Sequence, residues 1–429
     1  MSVAPFASAE IIAVGSELLA LGRVDTNSGV ITARLAALGI DVVARSAVGD
    51  QVAHLEMAVR TAVRRADLVV LTGGLGPTDD DLTRQAVAAA LGRRMYEDPE
   101  PLARIAARFA NRGLPMPEIN RRQAMVIDGA VLIDNPHGTA PGQWIDLETG
   151  AVAMLPGPPR EMSPMLDALV SGVLGARAGA ARTFTRGLKV AGRSESHVET
   201  VLQPLYPAWR SGTPSIDATI LAALGRIEVH LFARSASARA AEQVLEAAIA
   251  AAAAALGPCV YTTANETLEQ VAGGLLRVNG WRVAVAESCT GGLLGASLTE
   301  VPGSSAWVEG GVIVYSNGLK TALADVPAAL IVAHGAVSDA VARAMAAGAR
   351  GRCATEVGIG ITGVAGPDGG TDDKPVGTVF VAVHTPHMAA CRHARFVGDR
   401  TVVRQQSVSA ALDMIRLALL GHDPAEPAR

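Results

Sequence analysis

Apolar residues in this chain fall into short runs that end at glycine, and most runs lead into a stretch of helical spacing. AEIIAVG (9–15) reads as a buried strand entering a glycine turn, and SGVITARLAALG (28–39) as a helix with a glycine stop. IDVVARSAVG reads as a second strand, HLEMAVRTAVRRA as a helix, and DLVVLTGG as a third strand entering a glycine turn. The same alternation returns late in the chain: WRVAVAE, SCTGGLLGASLTEV, VEGGVIVYS, NGLKTALAD and SDAVARAMAAGARGR read as strand, helix, strand, helix, helix. VGIGITGVAGPDGGTDDKPVGTVFVAVHT then reads as strand, glycine-rich loop, strand, and VGDRTVVRQQSVSAALDMIRLALLG as a closing helix. Such alternation predicts mostly parallel sheets with helices on both faces, and ligands beyond the carboxyl ends of the strands. Between the two series, GLKVAG (187–192), RIEVHLFAR and one Ala-rich helix predict a small α/β unit around 180–257.

Composition narrows this picture. At 429 residues, 49% hydrophobic and 18% charged, the chain predicts two to four folded domains. Aromatics are only 3%, so the cores must be built from Ala, Val, Leu and Ile. A net charge of -4 gives no general case for nucleic-acid binding. Cys259, Cys289, Cys353 and Cys391 lie far apart, against a disulfide framework or structural zinc. AAIAAAAAAL (247–256) is too short to span a membrane, and no secretory signal is read at the start; a cytoplasmic protein is expected.

Of the 37 Lys and Arg residues, three are lysine: Lys189, Lys320 and Lys374. Arginine does not lose its proton in a protein, whereas a lysine can be tuned down into a base. Lys320 follows a strand at the start of a helix, and Ser288 stands in AESCTGG where another strand becomes a helix. The carboxyl ends of neighbouring parallel strands share one edge, so the two can converge, serine as nucleophile and lysine as base. Taken alone, a serine in this position reads first as a helix N-cap, and Cys289 is a rival nucleophile that would need a depressed pKa. Glycine turns would supply oxyanion donors, ITGVAGPDGGTDDKP (361–375) could wrap a phosphate or ribose, and Arg400 could clamp a phosphate.

Near the start, TGGLGPTDDDLT (72–83) offers Gly73, Gly74 and Gly76 to a phosphate and Asp79, Asp80 and Asp81 to a hard cation, or else makes a tight turn with acidic capping. NPHGTAPG (135–142), LPGPPREM (155–162) and Glu17 fall at the same expected sheet edge, so one shared anionic pocket is expected.

Taken together, these motifs resemble the CinA family of competence/damage-inducible proteins over nearly the whole chain. GSELL, the TN of VDTN, TGGLGPTDDDLT, APG and LPGPPREM resemble its N-terminal domain, itself similar to molybdopterin-binding proteins. AESCTGG, GSSAW, YSN…K, HGAVS, GVAGPDGG, KPVGTV and GDR resemble its C-terminal domain. The resemblance implies two three-layer α/β/α domains (8–177 and 264–421) joined by a KH-like α+β module (182–257). It implies a cofactor-free hydrolysis of nicotinamide mononucleotide to nicotinate mononucleotide and ammonia, with Ser288, Lys320 and Tyr315 catalytic. Thr290, Gly291, Gly292, Thr362, Gly363, Gly366 and Arg400 would bind that substrate. For the N-terminal domain it implies metal-dependent hydrolysis of ADP-ribose, with Mg, Mn or Co held by Asp79, Asp80, Asp81 and Glu17. Gly73, Gly74, Gly76 and Asn27 would bind its phosphates. The family often has Asn where this chain has Asp25, which puts that activity in question. Small nucleotides and a second copy of the chain are the implied partners. The middle module lacks an obvious G-x-x-G loop and a basic surface, so no nucleic acid or membrane is expected. The competing reading is a nucleotide- or pterin-binding regulatory protein tied to competence or DNA damage.

Overall fold

A computed structural model describes residues 5–20, 22–223 and 225–426. The chain packs as two units, one of residues up to Phe184 with 234–239, the other of Thr185–Ala233 and everything from Ala240.

The first unit is built on a six-stranded sheet. Its strands are β1 (Ser8–Val14), β2 (Asp41–Val48), β3 (Leu68–Thr72), β6 (Ala130–Ile133), β7 (Gly142–Leu147) and β8 (Gly150–Leu155), in the order β2-β1-β3-β8-β7-β6. A separate antiparallel pair, β4 (Met95–Glu97) and β5 (Met125–Ile127), lies between β3 and β6 in the chain. The β2-β1-β3-β8 pairings are parallel and the last two antiparallel. Alternate residues of β1 serve two cores: Ala9 and Ile11 pack on one face, Ile12 and Val14 on the other. Burial on both faces is what makes AEIIAVG read as a continuous apolar run.

The second unit contains two sheets. In the α+β module, β9 (Arg182–Ala191), β10 (Ile216–Ala223), β11 (Arg226–Ser235) and β12 (Val260–Thr262) run in the order β10-β11-β9-β12. The Ala-rich stretch is one helix, Ala238–Leu256, with Ala241, Leu245, Ala248, Ala252 and Leu256 buried along one stripe. Extended to Cys259, it is long and apolar enough to cross a membrane, contrary to the reading of its alanine run as too short. The stripe instead has the spacing of a helix packed on one side.

The other sheet has β13 (Val283–Glu287), β14 (Val308–Ile313), β15 (Val357–Gly363), β16 (Thr378–His384) and β17 (Ala389–Arg395), in the order β14-β13-β15-β16-β17. Strand β13 is parallel to β14 and β15, and the two later pairings are antiparallel. Val283 and Val285 face one core, Ala284 and Ala286 the other. The alternating glycines of VGIGITG have a packing cause. A Cβ on Gly358 or Gly360 would lie 2.1 or 2.3 Å from the carbonyl oxygens of Ala346 or Ala342 in the helix Asp339–Cys353. That helix therefore sits directly on β15 and, at Gly348, against Ala324 of the helix that carries Lys320.

Sheet class and helix placement match the sequence reading: five of six and four of five strands point one way. The antiparallel edges were not foreseen, because the short turns at LETG and TPHM sit between otherwise ordinary apolar runs, and the long glycine-rich loop before β16 is compatible with either strand direction. The four cysteines are free.

Candidate active site

The carboxyl end of β13 delivers Ser288, whose N–H donates to Ile361 O of β15 at 3.0 Å. After β14 the chain passes Tyr315, and Ser316 caps the helix Asn317–Ala324 by accepting from Leu319 N. Lys320, one turn in, points back under the sheet edge and is 2% exposed. Its Nζ lies 3.0 Å from Ser288 Oγ and donates to the carbonyls of Val314 and Tyr315 at 3.0 and 3.2 Å.

A neutral amine has two N–H bonds and one lone pair. The two carbonyls take the N–H bonds, which leaves the lone pair for the serine hydroxyl. Burial lowers the Lys320 pKa from the ordinary lysine value of 10.5, opposed only by the nearby Cys289. Cys289 itself is 5% exposed, and burial pushes its thiol up to about 11. Burial therefore disfavours the thiolate, the form a cysteine nucleophile needs.

Ser288 is not a helix N-cap. A turn intervenes, Gly292 at φ 93° precedes the helix Leu293–Thr299, and the N–H groups there are already taken. Glu287, 1% exposed, accepts from Gly292 N at 3.0 Å, Leu294 N at 3.1 Å and Gly295 N at 2.8 Å. The expected oxyanion or phosphate cradle at this helix start is thus filled by the protein's own carboxylate. Sequence reasoning passed over Glu287 because an acid ending a strand reads as a solvated residue.

The remaining residues separate. Arg400 donates to Gly366 O at 2.9 Å and to the Tyr315 hydroxyl at 3.2 Å, joining the glycine loop to the Ser–Lys pair. Tyr315 is 61% exposed at this mouth. Gly291 is exposed beside Arg404. Thr290 is fully buried, and its hydroxyl has no partner among the described residues, so it does not line an open pocket. Thr362 is buried and donates to Ala336 O at 2.8 Å, and Gly363 ends β15. Lys374 donates to His334 O at 2.9 Å, which ties the glycine-rich loop to the helix Ala328–His334.

In the first unit, a cavity of about 510 Å³ opens at the ends of β1, β3 and β8, with Glu17, Arg23, Asp25, Asn27, Thr72 and Gly157 in its wall. Of the parts expected to share one anionic pocket, this wall contains Glu17 and the 157–159 stretch, and does not include Gly73–Gly76, Asp79–Asp81 or the 135–142 loop. Asn27 donates to Thr72 Oγ1 at 2.9 Å and to Gly157 O at 2.7 Å, so both its amide protons are committed and none is left for phosphate. Gly73 (φ 108°) and Gly74 (φ 65°) need glycine for the turn itself: a Cβ would sit 2.2 Å from Val14 O or from Thr83 Oγ1. Gly76 is similarly crowded by the Asp81 carboxylate.

The acidic run does not make a ready cation cage. Asp79 pairs with Arg122, Asp81 accepts from Thr78 N and Oγ1, Asp80 faces solvent, and Glu17 belongs to the cavity. Among the described residues no group of three His, Cys, Asp or Glu is gathered to hold a metal ion. A divalent ion here would need most of its oxygens from a bound diphosphate. Sequence reasoning also missed Arg84, 1% exposed beneath this loop, which donates to Leu75 O at 2.7 Å; burial draws its pKa down to about 10.

With this geometry in view, comparison with known proteins settles the family. Residues 265–419 match the CinA C-terminal domain and residues 10–176 a probable molybdopterin-binding domain. A CinA-like protein of Koribacter versatilis is 44% identical over 416 residues, 96% of this chain and 100% of that one. The chain belongs to the CinA family. A CinA-like protein of Acidobacterium capsulatum is also 44% identical, over 96% of this chain and its own full length. A crystal structure of the competence/damage inducible protein CihA from Agrobacterium tumefaciens is 37% identical, covering 36% of this chain and 93% of that one, with a TM-score of 0.35.

Proposed function

We propose that the second unit hydrolyses the carboxamide of nicotinamide mononucleotide, with Ser288 as nucleophile and Lys320 as general base. The observation that carries this reading is the buried Lys320 Nζ, 3.0 Å from Ser288 Oγ and held otherwise only by two carbonyls. Neutral Lys320 takes the hydroxyl proton as Ser288 Oγ attacks the amide carbon. The resulting ammonium returns that proton to the leaving nitrogen, and ammonia departs from a seryl ester. Water, deprotonated by Lys320, then attacks the ester, and the proton passes back to Ser288 Oγ as the carboxylate leaves. The reaction needs no cofactor. Ammonia release from nicotinamide mononucleotide tests it: wild type and Cys289→Ala should be active and Ser288→Ala inactive. Activity in Ser288→Ala would remove the nucleophile from this account.

A second reading concerns the first unit. We propose it as a metal-dependent ADP-ribose hydrolase, supported by the 510 Å³ cavity at the carboxyl ends of parallel strands. Metal-dependent AMP release from ADP-ribose is the test. Its absence with Mg, Mn and Co would leave the first unit as a nucleotide-binding module.

A further inference from the structure

The site contains more positive charge than its chemistry uses. In the second unit Arg226, Arg282, Arg343, Arg352, Arg392 and Arg416 each face a carboxylate. Arg400 and Arg404 do not, a property they share with Arg350, which meets the Glu356 carbonyl and His384; among the described residues the partners of Arg400 and Arg404 are carbonyl oxygens and the Tyr315 hydroxyl. They lie one turn apart at the start of the helix Arg400–Leu419, so both side chains leave the same face. Arg400 reaches Gly366 O and Tyr315, whose carbonyl accepts from Lys320. Arg404 reaches the turn that follows Ser288. Its Nη2 and Nε donate to Thr290 O at 2.6 and 3.3 Å, beside exposed Gly291, and its Nη1 has no recorded partner.

Two helix starts near the pair already have internal caps. The helix that follows Ser288 has its first N–H groups on Glu287. The helix that carries both arginines is capped by Asp399, which accepts from Val402 N at 2.9 Å. Lys320 is buried and committed to Ser288. Beside the backbone of the glycine loop, side-chain cations are what this edge offers an anionic substrate, and two guanidiniums with spare donors match the oxygens of a phosphomonoester.

We infer that Arg404, acting with Arg400, makes this site selective for a phosphomonoester, so that it accepts the nucleotide amide and rejects the uncharged nucleoside. The inference rests on the amidohydrolase reading above and adds Arg404 as its specificity residue.

The test compares nicotinamide mononucleotide with nicotinamide riboside in wild type, Arg404→Gln and Arg404→Lys, as ammonia release by the full-length protein. Arg404→Gln should raise KM for the mononucleotide about 10- to 100-fold while kcat stays within a few-fold. Turnover of the riboside, poor in wild type, should not change. Arg404→Lys should restore part of the loss, and the wild-type KM should rise with ionic strength more steeply than that of Arg404→Gln. If Arg404 only braces the Thr290 turn, kcat falls for both substrates and KM shows no salt dependence, which overturns the inference. Equal use of both substrates by wild type also overturns it. If wild type releases ammonia from neither, the amidohydrolase reading has failed. Calorimetry with ribose 5-phosphate then decides: at least tenfold weaker binding in Arg404→Gln sustains the clamp, and equal binding refutes it.

Discussion

The central residue contrast is between a lysine and its neighbour cysteine, both buried and shifted in opposite senses. Burial disfavours the charged form of each, so it readies Lys320 as a base and disarms Cys289 as a nucleophile. Replacing Lys320 with Arg keeps a cation but removes the base, and should lower kcat/KM by on the order of 10²–10⁴-fold. In wild type, activity should fall as pH drops through the lowered Lys320 pKa, since only the neutral amine accepts a proton. The stability sign follows from the same shift. Between the folded pKa and 10.5 the unfolded chain binds the extra proton, so the Lys320 contribution to stability rises with pH across that window. A Lys320→Met control in thermal melts isolates it: its difference from wild type should change with pH in that window and not below it. The rarity of lysine marked this residue in the sequence, and the Ser–Lys pairing followed from the sheet edge. Glu287 and Arg404 were not legible, because nothing in AESC or VVRQQ says which backbone groups a turn will offer them.

At the level of elements, glycine decides how close the parts come. The helix Asp339–Cys353 comes this close to β15 because Gly358 and Gly360 have no side chains, and at Gly348 the same helix meets Ala324 of the helix that carries Lys320. Gly360→Ala should cost about 1–3 kcal/mol in urea unfolding, as overpacking does, with a loss of activity as the helix shifts. An unchanged unfolding midpoint would show that the helix yields without strain. Strand and helix order was readable from periodicity because these strands are buried on both faces. The turn that delays the helix after Ser288 was not, since CTGG is compatible with either a helix start or a loop. Glycines in the 73–76 loop have a steric cause that the sequence did not show: the fold uses them to pass Val14 and Thr83.

For the whole molecule, the two units present features of different character at the carboxyl ends of their strands: a cavity in the first and a cluster of reactive side chains in the second. The second brings together a nucleophile, a base and two arginines that have no carboxylate partner among the described residues. The first has a cavity whose Asn27 protons are committed and an acidic loop whose carboxylates are engaged locally or face solvent. The Ser–Lys chemistry closes its proton balance without a metal, so ammonia release should be unaffected by EDTA. AMP release from ADP-ribose, if present, should be abolished by it. Sensitivity of ammonia release to the chelator would place an ion in the amide chemistry. Because the chain has three lysines, the central claim can be observed directly. Protein labelled with ¹³C at lysine Cε should give three resonances, and the one missing from Lys320→Arg is Lys320. The account expects that resonance to titrate well below 10.5. Titration at or above that value would mean a permanently charged Lys320 and would contradict its role as the base.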